Sequence, residues 1–224
     1  MQKFATPAPV QAVLDIPAGR IQVIAADRDT TTVEVRPADA SKSRDVKAAS
    51  QVQVAHADGI LRIEAPQPTN RILGHIGSVE VTVQLPAGSR IEAKSVAAQL
   101  RGTGRLGDVV FDGAHGPVRL DEAASVRLTG LDATVTVGRL NGPGEISTLK
   151  GDLTVTEAAG GTLTLSTQQG DITVGAARGI PATLDAGTAY GRIHNTLNNT
   201  GSTADTDLTV KATTAYGDIT ARSL

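Results

Sequence analysis

Large rings are almost missing from this sequence. Its 224 residues include two Phe, two Tyr and no Trp, at Phe4, Phe111, Tyr190 and Tyr216. A core between packed layers ordinarily relies on rings to fill its space. Their scarcity argues against a thick sandwich and for a narrow interior of Val, Ile, Leu and Ala. Cysteine is absent, which excludes disulfides and thiolate metal sites. No run approaches the roughly 18 apolar residues of a membrane span. The opening Met1-Gln2-Lys3-Phe4-Ala5-Thr6-Pro7 also lacks the apolar core of an export signal. The expectation is a cytoplasmic protein without direct membrane insertion. Basic runs are missing too. With 21 basic and 23 acidic residues and a net charge of −2, and no aromatic platform between cations, nucleic-acid binding is disfavoured.

Glycine, by contrast, is plentiful at 24 residues and is spread along the chain as turns would be. Four segments share the pattern Thr-x-x-Gly-Asp/Arg-Ile/Leu. They run from Thr148 to Leu153, Thr167 to Ile172, Thr188 to Ile193 and Thr214 to Ile219. Weaker copies precede them. The aliphatic anchors are Leu100, Val118, Val135, Leu153, Ile172, Ile193 and Ile219, with gaps of 18, 17, 18, 19, 21 and 26 residues. The last two gaps read as rungs swollen by polar loops, chiefly Asn195 to Asp207. A second echo lies upstream. Leu14-Asp15-Ile16-Pro17-Ala18-Gly19-Arg20-Ile21 matches Gln84-Leu85-Pro86-Ala87-Gly88-Ser89-Arg90-Ile91, each read as strand, turn, strand. Asp58-Gly59 between alternating runs reads as a hairpin turn. Ser41 to Ser50 is the one expected helix.

A repeat near 18 residues is too short for a helix pair. It suits a coil of short strands and corners. The predicted fold is therefore all-β: a single-stranded parallel β-helix, or β-solenoid, with a β-rich N-terminal cap. Residues 1–90 form the cap region and 91–224 the repeats, in one continuous structural unit. Alternation assigns the faces. Thr148, Thr167, Thr188 and Thr214 point inward just before a corner, and the Gly that follows supplies the backbone freedom there. Asp152, Asp171, Arg192 and Asp218 point outward, and coil-by-coil order places Arg192 between Asp171 and Asp218. Tyr190 and Tyr216 share one slot near an uncapped C-terminal end. They either plug the last coils or dock on another chain.

Aligned carboxylates on adjacent coils also suit acid–base chemistry on a polysaccharide. Asp after Gly is equally a turn residue with a solvated side chain, and no supporting cluster accompanies these. Flat Thr columns can bind ice, but the partner column here is charged. His56, His75, His115 and His194 share no ligand spacing, so no metal is expected. Gly102-Thr103-Gly104-Arg105-Leu106-Gly107 matches a dinucleotide fingerprint literally. Asp108-Val109-Val110-Phe111 then continues as a strand rather than the required helix, so no cofactor is expected.

The Leu-Asp-Ile-Pro-Ala-Gly opening at 14–19, the Gln-Leu-Pro-Ala-Gly at 84–88 and the serial Thr-x-x-Gly-Asp-Ile repeats resemble the bacterial "putative adhesin" family of β-strand repeat proteins. That family is a domain of unknown function, and the likeness covers nearly the whole chain. It implies a parallel β-solenoid and, in some members, a link to cell-envelope stress. It carries over no catalytic residue. The coil is also similar to that of bactofilins, which polymerise end to end, and that likeness implies a right-handed turn. The function expected is a non-catalytic interaction or scaffold protein, with a protein partner or a homo-oligomer formed through the C-terminal end. Tyr190, Tyr216, Asp152, Asp171, Arg192 and Asp218 are the candidate contact residues. The alternatives are a binding module for an envelope-derived peptide or glycan and, behind it, a polysaccharide-acting enzyme.

Overall fold

The computed structural model describes residues 1–65, 77–198 and 208–224. Strands make up most of it, with a single helix among the described residues. The chain divides into two compact units, Met1–Gly116 and Pro117–Leu224. The change of sequence pattern near residue 90 falls at the start of a long strand of the first unit. That strand spends Arg90–Lys94 and Ala97–Thr103 on different neighbours within that unit.

The first unit holds β1 (Gln2–Ala5), β2 (Gln11–Asp15), β3 (Ala18–Ala26), β4 (Thr30–Pro37), α1 (Ser43–Gln51), β5 (Gln53–Ala57), β6 (Ile60–Glu64), β7 (Val79–Pro86) and β8 (Arg90–His115). Both Pro-Ala-Gly segments are strand–turn–strand as expected, with φ of +126° at Gly19 and +81° at Gly88. Strands β2 and β3 pair in parallel with β8, and β3 pairs in parallel with β7. Antiparallel pairs join β1 to β4, β4 to β7 and β5 to β6. The β5–β6 hairpin turns at Asp58 and Gly59, both with positive φ (51° and 74°), as the Asp-Gly pair demands. Helix α1 carries Asp45 in its first turn. This buried carboxylate accepts the Ser78 N–H at 3.0 Å. Just upstream, the Ser41 hydroxyl and then the Ser41 N–H hold the exposed Asp39 carboxyl down at about 2. The dinucleotide-like glycines lie inside β8, so the segment is strand throughout.

The second unit has strands, short turns and no helix among its described residues. It holds β9 (Val118–Asp132), β10 (Val135–Leu140), β11 (Gly144–Ser147), β12 (Leu153–Ala158), β13 (Gly161–Gln169), β14 (Ile172–Ala176), β15 (Ala182–Tyr190), β16 (Ile193–Thr196), β17 (Leu208–Tyr216) and β18 (Ile219–Ser223). All its pairings are parallel, and they build two stacks. One runs β9–β10–β12–β14–β18–β16. The other runs β9–β11–β13–β17–β15. Each rung gives one strand to each stack.

The stacking order is not the chain order. After β14 the chain skips a layer to lay down β15 and β16. It then returns to fill the gap with β17 and β18. Backbone hydrogen bonds across the corners carry the same order: Ile172 N–H to Asp218 O at 2.9 Å, and Ile219 N–H to Arg192 O at 2.8 Å. This corrects the coil-by-coil expectation. Arg192 is not between Asp171 and Asp218, and the end rung is β15–β16 rather than the chain's last strands. The physical reason lies in the residues: β17 and β18 bury Leu208, Val210, Ala212 and Ile219, whereas β15, β16 and the corner between them carry exposed Tyr190, Arg192, Ile193 and His194.

The interior consists of in-register aliphatic columns. One is Val118, Val135, Leu153, Ile172 and Ile219; another is Leu128, Ile146, Leu165 and Ala212. All are essentially buried. At about 4.8 Å between strands, same-face neighbours interlock without rings.

The corners set the tightest constraint. A Cβ at Gly170 would strike the Gly151 carbonyl oxygen, and one at Gly217 would strike that of Gly170. Both glycines also have positive φ, 147° and 152°. Gly187 differs, with open space around it. Gly170→Ala is therefore expected to destabilise the protein by about 1–3 kcal/mol, while Gly187→Ala changes stability little. Paired urea melts followed by circular dichroism check this.

Candidate interaction surface

Three ladders meet at the Gly corner of the second unit. The first is inward. Thr148, Thr167 and Thr214 are buried, and Thr188 is half-buried. Each hydroxyl needs a partner, because a buried one left alone costs about 1–3 kcal/mol. Thr167 donates to the Gly151 carbonyl at 3.3 Å, Thr214 to Gly170 at 3.0 Å and Thr188 to Gly217 at 3.0 Å. Thr148 donates to the Thr167 hydroxyl at 3.2 Å. The expected inward threonines are thus in place, reordered by the stack.

The second ladder is outward. Asp152 Oδ1 accepts the Asp171 N–H at 2.9 Å, Asp171 Oδ1 the Asp218 N–H at 2.8 Å, and Asp218 Oδ1 the Arg192 N–H at 2.8 Å. Each carboxylate holds the backbone of the next rung. The series stops at Arg192, which has no further rung among the described residues to hold. Arg192 therefore marks the end of the stack, where a carboxylate would have no N–H to accept. Reading each corner residue as an acceptor for the following rung was the missed signal.

The third ladder is aromatic. Tyr216 and Tyr190 face each other across paired strands, with ring centroids 4.9 Å apart and planes 3° from parallel. They are 55% and 68% exposed, so they do not plug the interior. In the same column the earlier rungs carry Gln169, Lys150 and Asp132.

Beyond Tyr190 the end rung has no neighbouring rung among the described residues. Among the described residues no strand pairs with the second edge of β15 or β16. Ile193, whose counterparts are buried, is 46% exposed there. The candidate residues thus fall into two groups. Tyr190 and Arg192 sit on the end rung, with Tyr216 and Asp218 one rung in. Asp152 and Asp171 lie deeper along the stack.

Other surfaces carry less. A shallow groove of about 520 Å³ is lined by Arg139, Glu157, Ala159, Arg178, Ile180 and Leu224. Arg139 already pairs with Glu157 at 3.0 Å, and its Nε–H donates to Asn141 Oδ1 at 3.0 Å. His56 packs its ring 5.3 Å from Phe4; His115 lies in β8 and His194 in β16; His75 lies outside the described residues. Among the described residues no cluster of three or more His, Asp or Glu is arranged to hold a metal. Asn198-Asn199-Thr200 spells a glycosylation sequon, of which residues 199 and 200 lie outside the described residues as well.

The carboxylate ladder makes a stability prediction. Asp171→Ala leaves the Asp218 N–H without its acceptor and is expected to cost about 0.5–1 kcal/mol. Asp171→Asn keeps an acceptor oxygen and is expected to cost clearly less. The difference between their chemical-denaturation midpoints tests it; equal midpoints would dismiss the ladder as decoration.

Neither a protein-family model nor a curated protein sequence matches this chain. Solved structures do. A crystallised "putative adhesin" from Bacteroides fragilis superposes with a TM-score of 0.51 at 13% identity, covering 98% of this chain and 95% of that one. A "putative cell adhesion protein" from Clostridium sporogenes aligns over 100% of this chain and 98% of its own, at 12% identity and a TM-score of 0.46. At such identity the first of these establishes a shared fold: this chain is built like the Bacteroides fragilis protein along nearly its whole length.

Proposed function

We propose that this chain is a non-catalytic interaction protein, its repeats wound as a β-solenoid, and that its working surface is the open end rung of β15 and β16. The observation that carries this reading is the placement of exposed Tyr190 and Ile193 on strand edges that no described strand covers. Unpaired edges are ready templates for another chain. Proteins that do not use them usually blunt them with lysine, proline or a bulge. Neither β15 nor β16 contains Lys or Pro.

Catalysis is less well supported. The aligned carboxylates that suggested it each spend an oxygen on a backbone N–H. They also project from exposed positions rather than into a cleft. The same commitment weakens the Asp/Thr face as a ligand platform. The name "putative adhesin" borne by the Bacteroides fragilis protein accords with a binding role.

A photo-crosslinking amino acid placed at position 190 or 193, against controls at Thr129 and Ser166 on β9 and β13, tests the reading in cells of the source organism. Discrete adducts are expected at 190 and 193 only. Adducts of equal yield at the control positions, or at none of the four, sink it.

A further inference from the structure

We propose that the end rung accepts a strand–corner–strand segment of the same repeat type from a different protein, one that sets an acidic residue against Arg192. This rests on the interaction reading above and names the chemistry of the partner.

The corner ladders are directional, and all of them point out of the open end. Thr167, Thr214 and Thr188 donate backwards to the glycine carbonyl of the preceding rung: Gly151, then Gly170, then Gly217. The next acceptor in that series is the Gly191 carbonyl, so an added rung brings a threonine to it. The aromatic ladder ends on the outer face of Tyr190, whose inner face already stacks on Tyr216. An added rung with a planar side chain in that slot continues it. The carboxylate ladder alone changes sign. Asp152, Asp171 and Asp218 each present an acceptor to the next rung, whereas Arg192 presents a guanidinium, which only donates. A further rung finds no acceptor for its corner N–H there. A carboxylate at the same corner position instead finds a charge-matched fork. From the corner to the end of β16 the strand segment carries Arg192 and His194 and no acid.

The occupant is not a second copy of the described repeats. Among the described residues of the second unit, every Gly corner that bears the required acid is internal to the stack. Strands β12, β14 and β18, which follow Asp152, Asp171 and Asp218, are each paired on both sides. None is free to add to another molecule. Adding a strand to an exposed edge is an established mode of peptide recognition, in which the main chain supplies affinity and alternate side chains supply specificity.

The probe is a fluorescein-labelled peptide with the sequence of residues 213–221, Thr-Thr-Ala-Tyr-Gly-Asp-Ile-Thr-Ala, titrated with the full chain and read by anisotropy. Saturable binding is expected. Replacing the peptide's aspartate by lysine, or Arg192→Glu in the protein, should weaken it at least tenfold. The two changes together should restore most of the loss, which an unfolded variant would not allow. No saturable binding, or binding indifferent to the charge swap, overturns the proposal. A concentration-dependent dimer in sedimentation, abolished by Arg192→Glu, also overturns it, since the occupant would then be a second copy. If peptide binding fails while crosslinks at 190 and 193 form, the acidic-corner partner is wrong and the interaction reading stands. If both fail, that reading falls as well.

Discussion

The distance between rungs governs the C-terminal unit. Parallel strands lie about 4.8 Å apart, and at the corners the backbones approach so closely that the carbonyl of one rung occupies the place of a side chain on the next. Only glycine is accommodated at Gly170 and Gly217. That close approach is also what brings the Thr214 hydroxyl within 3.0 Å of the Gly170 carbonyl and the Asp171 carboxylate within 2.8 Å of the Asp218 N–H. The scarcity of rings has the same source. In columns such as Leu128, Ile146, Leu165 and Ala212, residues of one shape class repeat at strand spacing and need no large filler. The N-terminal unit shows what a ring demands: buried Phe111 is accommodated beside Gly113, where a Cβ would meet its ring.

Much of this was legible because periodicity reports local geometry. The Thr-x-x-Gly pattern fixed which threonines face inward. The two Pro-Ala-Gly echoes and the Asp58-Gly59 hairpin followed from backbone requirements that few residues meet. The helix began two residues later than expected and ended one later. What periodicity cannot report is which rung lies on which. Every rung offers the same register and the same aliphatic face, so successive stacking and a skipped layer satisfy the pattern equally. Two cues did distinguish them. The gaps of 21 and 26 residues before Ile193 and Ile219 are long enough for the chain to pass a layer and return. Arg192 breaks the aspartate series at the one rung that has no successor among the described residues. The antiparallel pairs β1–β4 and β4–β7 left no comparable trace, because their strands repeat no motif.

The order of the stack also decides how the candidate residues divide. In chain order, Arg192 is a counter-ion between two aspartates and Tyr216 belongs to the terminal rung. In stack order, Arg192 and Tyr190 occupy the outermost rung, and Tyr216 and Asp218 support them from one layer beneath. Asp152, Asp171 and Asp218 are structural, each with an oxygen engaged by the backbone of the next rung. The different role of the same corner position at Arg192 comes from its place on the last described rung.

The same geometry restricts what the open end can take. A Cβ at Gly191 would collide with the Gly217 carbonyl, and Gly191 repeats that carbonyl one layer further out. An added segment therefore needs glycine at its own corner. It needs a hydroxyl three residues before that glycine to reach the Gly191 carbonyl. A carboxylate after the glycine answers Arg192, and an aliphatic residue must follow to cover Ile193. An ordinary extended peptide satisfies the strand edges but lacks the corner. It pairs with β15 or with β16, not with both, and forfeits the charge contact that lies between them. On the proposed reading, selectivity at this surface would reside in the corner, while the strands on either side would contribute affinity that many sequences can supply.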